Sequence, residues 1–320
     1  MTLTVLVTDR VSDEGLAPLL DDDRFAIETI HDSSSDEFEA VLALAVGLIV
    51  RSATKVDGDM MTRAAGLKVI GRAGVGVDNI DLAAASKRGI AVFNAPGGNT
   101  NAAAELTMAL MLALARRVPE ADRSMREGRW ERAGLQGIEL KGRTLGLVGA
   151  GRIGGEVAQR CRAFGMDVLV YDPYLAEERA AQLGVRLVGL DQVIENADVI
   201  SCHVPLTDET RGLIDASRFG RMKDGVLVIN ASRGGVIDEA ALADALHDGT
   251  IAGAALDVYE REPLSEESPL RNAPNLVLTP HLGASTEEAQ VGVATEVARY
   301  VHAALGEGDV SAAINAADLH

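Results

Sequence analysis

Three segments in the second half of the chain place an arginine, a carboxylate and a histidine where they could transfer protons. Arg233, Glu262 and His281 each come shortly after an apolar run that predicts a buried strand. A guanidinium is always charged and can hold a carboxylate with two hydrogen bonds. An imidazole can take a hydroxyl proton, and a neighbouring carboxylate can orient the ring and stabilise the imidazolium. These three residues are the predicted catalytic group.

Residues 144–154, TLGLVGAGRIG, predict a strand, a glycine-rich turn and a helix that bind a dinucleotide. Gly149, Gly151 and Gly154 form the pattern G-x-G-x-x-G. These glycines permit a tight turn, close approach of a pyrophosphate and packing of the helix, whose N-terminus offers N–H groups to phosphates. Asp172 follows Gly154 by 18 residues at the end of a second apolar run. Its carboxylate can bind ribose hydroxyls and would repel a 2′-phosphate, which predicts NAD as the cofactor.

The two patterns together suit hydride transfer to or from a 2-hydroxy or 2-keto acid. In an open parallel sheet, ligands bind outside the carboxyl ends of the strands, so the three polar side chains should face one crevice. The arginine would hold the substrate carboxylate and 2-oxygen, and the histidine would take the hydroxyl proton as hydride leaves. The sequence therefore predicts an oxidoreductase.

Apolar runs alternate with helical stretches along most of the chain, which predicts an α/β fold with parallel sheets. The predicted strands are 3–7, 47–50, 68–70 and 90–93 in a first series, and 144–148, 167–171, 198–202, 226–229, 253–257 and 276–279 in a second. Residues 286–305 predict a helix, and 310–314 predict a final strand. We expect two doubly wound parallel-sheet domains, with a Rossmann NAD-binding domain (98–282) inserted into a discontinuous, flavodoxin-like substrate domain (1–97 and 283–320).

Residues 105–117 predict an unusually apolar helix, because they are nearly all Leu, Met and Ala with polar residues only at the ends. A helix that is apolar on every side must be buried. We expect another domain or subunit to cover it. A two-fold homodimer is the commonest closed assembly, and a homotetramer is the alternative.

Composition narrows the classes of partner. The 320 residues carry a net charge of −18, which disfavours nucleic acid and anionic membranes as partners. The longest apolar stretches, 40–50 and 108–115, are too short to span a bilayer, and the N-terminus resembles no signal peptide. Cys161 and Cys202 form no metal-type pair. We expect a cytoplasmic protein without a metal site.

The chain resembles the D-isomer-specific 2-hydroxyacid dehydrogenases over essentially its whole length. The segments that carry the resemblance are IVRSATK (49–55), IGRAGVGVDNID (70–81), NAPGGN (94–99) and the four segments described above. The resemblance implies that Arg233 binds the substrate carboxylate, that Glu262 is the partner of His281, and that His281 is the acid/base. It also implies cofactor contacts, and the full candidate set is Gly149, Gly151, Arg152, Ile153, Gly154, Asp172, Val204, Ala231, Ser232, Asp257, Gly283 and Ala284.

Three cations suggest that the substrate is phosphorylated. Arg51, Lys55 and Arg72 lie at the ends of first-domain strands, and we expect them to face the cleft. A multiply anionic acid needs such cations in an acidic protein. Within the family, the chain most resembles the members that oxidise D-3-phosphoglycerate to 3-phosphohydroxypyruvate in L-serine biosynthesis. The full set of predicted substrate-binding residues is Arg51, Ser52, Lys55, Arg72, Val75, Gly76 and Asn99.

Two departures and two alternatives accompany this interpretation. Val75 and Val204 stand where some relatives carry a threonine near the cofactor. The chain ends near residue 320, so we expect no C-terminal regulatory domain of the kind found in longer relatives. One alternative is another D-2-hydroxyacid dehydrogenase, such as a hydroxypyruvate/glyoxylate reductase. The other is an NAD(H)-sensing binding protein, like the transcriptional corepressors that share this fold.

Overall fold

The computed structural model describes residues 2–319, which form two compact units. Unit 1 consists of the residues up to Thr100 together with those from Ala284 onward, and unit 2 is Asn101–Gly283. The chain therefore leaves unit 1 once and returns to it once. None of the helices within residues 2–319 is long and apolar enough to cross a bilayer.

In chain order, the strands are β1 (Leu3–Val7), β2 (Phe25–Thr29), β3 (Gly47–Val50), β4 (Val69–Arg72), β5 (Ala91–Asn94), β6 (Thr144–Val148), β7 (Asp167–Tyr171), β8 (Arg186–Leu187), β9 (Val199–Cys202), β10 (Leu227–Asn230), β11 (Gly253–Leu256) and β12 (Leu276–Leu278). The helices are α1 (Ala17–Leu20), α2 (Asp36–Leu42), α3 (Gly58–Arg63), α4 (Leu82–Lys87), α5 (Thr100–Ala115), α6 (Val118–Arg126), α7 (Arg152–Ala163), α8 (Glu177–Leu183), α9 (Leu190–Asn196), α10 (Ala216–Phe219), α11 (Glu239–His247) and α12 (Glu287–Glu307). Short 3₁₀ turns occupy Glu14–Leu16, Ala133–Leu135, Pro269–Asn272 and Ala316–Asp318.

Unit 1 is built on a parallel five-stranded sheet with the order β2-β1-β3-β4-β5. Helix α12 packs on one face of this sheet, against β3, β4 and β5. The other face carries Leu48 and Ile70, which pack with Phe38 and Met61. Coverage on both faces explains why β3 reads as a continuous apolar run, which is typical of parallel sheets. The strand order is the flavodoxin-like one.

Unit 2 is built on a parallel seven-stranded sheet with the order β12-β11-β10-β9-β6-β7-β8. The order reverses between β6 and β9, and this reversal is the point at which doubly wound sheets bind their ligands. Met108, Val157 and Val168 belong to the core on one face, and Val193 and Leu242 belong to the core on the other. The predicted fold class, two doubly wound parallel-sheet domains of which one is a Rossmann fold, is confirmed.

The structure differs from the predicted strands at the sheet edges. The predicted final strand, 310–314, is wrong, because this segment forms turns. A single backbone N–H, from Ile314, donates to Val92 O (2.7 Å), and the Asn315 side chain supplies the other bonds to that edge. Strands β2 and β8 were not predicted. Both are edge strands with exposed positions, so neither shows the apolar run of a central strand.

Helix α5 is covered mostly by the core of its own unit. Met108, Met111 and Leu114 are buried there, and Leu106 and Leu112 pack against the same core while remaining partly exposed. The apolar character of this helix therefore does not require another domain or subunit to cover it, although we expected one. Three of the large apolar side chains that remain exposed lie shortly beyond its end, at Val118, Met125 and Trp130.

Candidate active site

The parallel register of unit 2 brings three loops to one edge of the sheet. Asn230 at the end of β10 pairs with Leu256 at the end of β11, and Leu256 pairs with Leu278 at the end of β12. The loops that follow these strands carry Arg233, Glu262 and His281, respectively. Three side chains that are separated by up to 48 residues in the sequence thus come from adjacent strands.

Glu262 and His281 form a direct hydrogen-bonded pair. His281 Nδ1 lies 2.7 Å from Glu262 Oε2, and the backbone N–H of Tyr259 donates to Glu262 Oε1 at 3.1 Å. Burial alone would raise the pKa of Glu262, but the hydrogen bond from His281 and the charges of His281 and Arg233 outweigh it and lower this pKa. The carboxylate therefore stays ionised, and because Nδ1 is engaged, Nε2 is the ring nitrogen left to exchange a proton.

The loop that carries His281 is held by a buried carboxylate. His281 has a φ of 57°, in the left-handed region that non-glycine residues rarely adopt. Asp257, which is 0% exposed, accepts hydrogen bonds from Thr279 Oγ1 (2.6 Å), Leu282 N (2.7 Å) and Gly283 N (2.9 Å). These bonds span the histidine on both sides. Asp257 was a predicted cofactor contact, and in this structure both of its oxygens fix the histidine loop.

The turn that carries Arg233 is fixed by a buried amide. Asn230 Nδ2 donates to Arg233 O (2.9 Å), and Asn230 Oδ1 accepts from both the N–H and the hydroxyl of Ser232 (3.0 and 2.8 Å). A Cβ atom at Gly234 would collide with the carbonyl oxygen of Tyr259. The backbone of the arginine turn therefore lies directly against the loop that carries Glu262.

Two residues that support the site, Glu239 and Tyr259, are not among those predicted from the sequence. Glu239 Oε1 accepts the backbone N–H of Glu260 at 2.6 Å, and burial raises the pKa of Glu239. Tyr259 Oη donates to Thr279 O at 2.8 Å, which links the Glu262 loop to the His281 loop. Burial raises the pKa of Tyr259 to about 12, so it remains a hydrogen-bond donor. Neither contact leaves a motif in the sequence.

The glycine turn has the shape that a dinucleotide needs. Gly149 has a φ of 92°, and a Cβ there would lie 2.6 Å from His203 O. A Cβ at Gly154 would collide with Gly149 O. Apart from its two neighbours in the chain, no described residue has an atom within 4 Å of the Cβ position at Gly151. The approach to the first turn of α7 is therefore open at Gly151, as a pyrophosphate requires.

Asp172 occupies the position expected for a ribose ligand at the end of β7. Its Oδ2 accepts the N–H of Ala150 in the glycine turn (2.9 Å), and its Oδ1 accepts the N–H of Tyr174 (2.9 Å). These bonds fix the carboxylate beside the turn while leaving lone pairs for hydroxyl groups. The residues of this region fit NAD.

The remaining predicted cofactor residues of unit 2 surround the same sheet edge. Arg152 and Ile153 begin α7, Val204 follows β9, Ala231 and Ser232 follow β10, and Gly283 ends the unit, whereas Ala284 belongs to unit 1. Beside Val204, His203 Nε2 is bonded to Ser201 Oγ (2.8 Å), and burial lowers the pKa of His203 to about 4. Within residues 2–319 no group of three or more His, Cys, Asp or Glu side chains could hold a metal ion.

The predicted substrate residues lie in unit 1. Val50 pairs with Arg72 and Arg72 pairs with Asn94, so the loops after β3, β4 and β5 share one edge of that sheet. Arg51, Ser52 and Lys55 lie in the segment after β3. Arg72 is the last residue of β4, Val75 and Gly76 follow it, and Asn99 follows β5. Burial lowers the pKa of Arg51, and the charge of Asp9 opposes that effect. The guanidinium of Arg72 folds over Gly74, where a Cβ would collide with it.

Comparisons with known proteins identify the family of the chain. Residues 108–283 match the family "D-isomer specific 2-hydroxyacid dehydrogenase, NAD binding domain". The chain is 51% identical over 296 residues to the D-3-phosphoglycerate dehydrogenase of Archaeoglobus fulgidus. The aligned residues cover 92% of this chain and 56% of that protein. The chain thus spans little more than half the length of that relative.

Two solved structures are similar over nearly the whole of both chains. The TT0316 protein from Thermus thermophilus has a TM-score of 0.86 at 39% identity, with 95% of this chain and 97% of that chain covered. The D-lactate dehydrogenase from Aquifex aeolicus, complexed with NAD and lactic acid, has a TM-score of 0.83 at 30% identity, with 97% of each chain covered. The cofactor is NAD, and the chain belongs to the D-isomer-specific 2-hydroxyacid dehydrogenase family.

Proposed function

We propose that the protein oxidises D-3-phosphoglycerate to 3-phosphohydroxypyruvate with NAD, the first step of L-serine biosynthesis. The observation that carries the proposal is the 2.7 Å hydrogen bond between Glu262 and His281, beside the turn of Arg233. The similarity to a D-3-phosphoglycerate dehydrogenase supports the choice of substrate.

The side chains divide the work of oxidation among them. Arg233 binds the substrate carboxylate and the 2-oxygen, because a guanidinium offers two parallel donors. His281 Nε2 takes the proton of the 2-hydroxyl group, while Glu262 on Nδ1 stabilises the resulting imidazolium. NAD, when bound, supplies the acceptor for the hydride that leaves C2. In the reverse direction, His281 returns the proton to the 2-oxygen.

The phosphate is the second part of the proposal. We infer that Arg51, Lys55 and Arg72 bind it, with Ser52, Val75, Gly76 and Asn99 completing the substrate-binding residues. The protein's net charge of −18 disfavours a trianionic ligand unless cations are concentrated where it binds. Charge-assisted hydrogen bonds to phosphate are stronger than neutral ones.

The second candidate function is oxidation or reduction of an unphosphorylated D-2-hydroxy acid. The structural similarity to the D-lactate dehydrogenase of Aquifex aeolicus favours it, because that enzyme acts on lactic acid. The same arginine, glutamate and histidine would serve either substrate. The two candidates differ only in what binds the distal end of the acid.

A substrate panel tests the proposal. NAD reduction would be measured with D-3-phosphoglycerate, D-glycerate and D-lactate at matched concentrations. We expect kcat/KM for D-3-phosphoglycerate to be the highest, by about tenfold or more, since one charged contact is worth that much. A preference for D-lactate or D-glycerate would replace the proposal with the second candidate, and no turnover of any acid would exclude both.

We also propose that the protein is a homodimer, with a homotetramer as the alternative. Val118, Met125 and Trp130 are 53%, 54% and 76% exposed, and all three lie in one short segment after α5. Burial of this segment against a second copy would remove its apolar surface from water. Light scattering at micromolar concentration should give twice the chain mass or more, and a monomer would contradict this proposal.

A further inference from the structure

A buried carboxylate holds the N–H groups of the Arg51–Lys55 loop. Asp9, which follows β1 and is 9% exposed, accepts the backbone N–H of Arg51 at 2.5 Å on Oδ2. The N–H of Thr54 donates to the same oxygen at 3.3 Å, and the Thr54 hydroxyl donates to Oδ1 at 2.8 Å. One side chain therefore holds the loop near both of its ends.

A side-chain amide holds the carbonyl groups of the same two residues. Asn79, in the segment that follows β4, donates from Nδ2 to Arg51 O and to Thr54 O, each at 2.6 Å. The N–H and the C=O of Arg51 and of Thr54 are thus all bonded to side chains from outside the loop. The loop backbone has little freedom left, although the side chains of Ser52 and Lys55 are exposed.

We propose that Asp9 and Asn79 are positioning residues that hold the Arg51–Lys55 loop so that its cations bind the phosphate of the substrate. The inference rests on the proposed function, in which Arg51 and Lys55 bind that phosphate. Ordering a free loop on binding would cost conformational entropy for each residue that becomes fixed. A loop already fixed by five hydrogen bonds avoids that cost, so binding of the phosphate is stronger.

Isosteric substitution of Asn79 separates positioning from simple packing. Asn79→Asp keeps the volume but places an acceptor oxygen against two carbonyl oxygens, whereas Asn79→Ala only removes the two donors. We expect both variants to raise KM for D-3-phosphoglycerate by about tenfold, with the larger rise for Asn79→Asp. The kcat for D-3-phosphoglycerate and the kcat/KM for D-glycerate should change less than about twofold, since Arg233 and His281 are untouched.

Asp57→Ala is the matched control. Asp57 lies two residues beyond Lys55 and also accepts two backbone N–H groups, but these belong to α3, at Asp59 and Met60. Its loss should lower the melting temperature as an N-cap substitution does, without changing the preference for the phosphorylated acid. Thr54→Val, which removes the hydroxyl bonds to Asp9 and to Thr8 but keeps the backbone bonds of the loop, serves if an Asn79 variant does not fold, and should reduce the preference by a smaller factor.

The outcomes distinguish the two claims. If the wild-type protein prefers D-glycerate, the proposed function and this inference both fail. If the wild-type protein prefers D-3-phosphoglycerate and the folded Asn79 and Thr54 variants keep that preference in full, only the inference fails. An equal loss of kcat/KM for D-3-phosphoglycerate and for D-glycerate would also overturn the inference, because that result indicates a general structural role.

Discussion

The two units hold their functional side chains in different ways. In unit 2, Asp257 and Asn230 hold the loop backbones, and two functional side chains also contact each other directly, His281 Nδ1 and Glu262 Oε2 at 2.7 Å. In unit 1, the loop of Arg51 and Lys55 is held through its backbone by Asp9 and Asn79. Proton transfer requires a fixed distance between reacting atoms, whereas binding of a phosphate requires charges on an ordered backbone. Under the proposed function, unit 2 therefore carries out the proton transfer and unit 1 binds the phosphate of the substrate.

Removal of the imidazole should have the largest effect. His281→Ala should lower kcat by about 10²–10⁴-fold, because a positioned general acid/base contributes that much. The dissociation constant of NAD, measured by fluorescence or calorimetry, should not change, since the proposal assigns the ring to proton transfer and not to cofactor binding. His247→Ala, at the end of α11, is the control. Near-normal turnover of the His281 variant would contradict the proposal that unit 2 carries out the proton transfer.

Neutralising the partner of the histidine should have an intermediate effect. The pKa of Glu262 is lowered, so its carboxylate stays ionised through the pH range in which a glutamate ordinarily takes up a proton. Its contribution is lost only as pH falls through that lowered pKa. Glu262→Gln should reduce kcat by about tenfold and shift the acid limb of the oxidation pH profile to lower pH, because an amide stabilises the imidazolium less. A profile identical to that of the wild-type protein would show that Glu262 does not act on the histidine.

The choice of cofactor tests the dinucleotide end of unit 2. With NADP, Asp172 would lose its hydrogen bond from the ribose 2′-hydroxyl group, and its carboxylate would repel the 2′-phosphate that replaces it. We therefore expect kcat/KM to favour NAD over NADP by about tenfold or more. Pro173 and Tyr174 follow Asp172, so neither neighbour offers an arginine to offset the repulsion. Asp172→Ala should lower the ratio of kcat/KM for NAD to that for NADP, mainly by weakening the binding of NAD. Equal kcat/KM for the two cofactors in the wild-type protein would contradict the assignment.

A smaller effect is expected from His203, which should influence stability but not the pH profile of activity. Its pKa in the folded protein is about 4, below the ordinary value of 6.5, so the unfolded chain binds more protons between these values. Stability contributed by the neutral imidazole is therefore lost as pH falls from about 6.5 toward 4. His203→Gln should reduce the difference between the free energies of unfolding that urea denaturation gives at pH 7 and at pH 5. An unchanged slope would show that the imidazole is not buried in a neutral form.

The sequence predicts which loops of unit 2 share one sheet edge, because strand patterns and parallel pairing decide where loops emerge. Arg233, Glu262 and His281 follow recognisable apolar runs, and the glycine turn has a defined spacing. The fold class follows from the same alternation of strands and helices. The distance between Glu262 and His281 does not follow from it, because that distance depends on the conformation of two loops.

The supporting contacts could not be predicted in the same way. Asp9, Asn79 and Asp257 act on backbone N–H and C=O groups of loops that are distant in the sequence, and such bonds leave no periodic pattern. The signal that exists is a polar side chain shortly after a buried strand, as at Asp9, two residues beyond β1. The predicted strand 310–314 fails for a related reason, because Asn315 fixes that segment through side-chain bonds.

The most direct test of the division between the units is Arg72→Ala, assayed with D-3-phosphoglycerate and with D-glycerate. Loss of a charge-assisted contact to phosphate should raise KM for D-3-phosphoglycerate by about tenfold or more, equivalent to about 1.4 kcal/mol. The KM for D-glycerate and both kcat values should change much less, because the residues of unit 2 are intact. If both substrates weaken equally, Arg72 does not recognise phosphate, and the assignment of substrate recognition to unit 1 is contradicted.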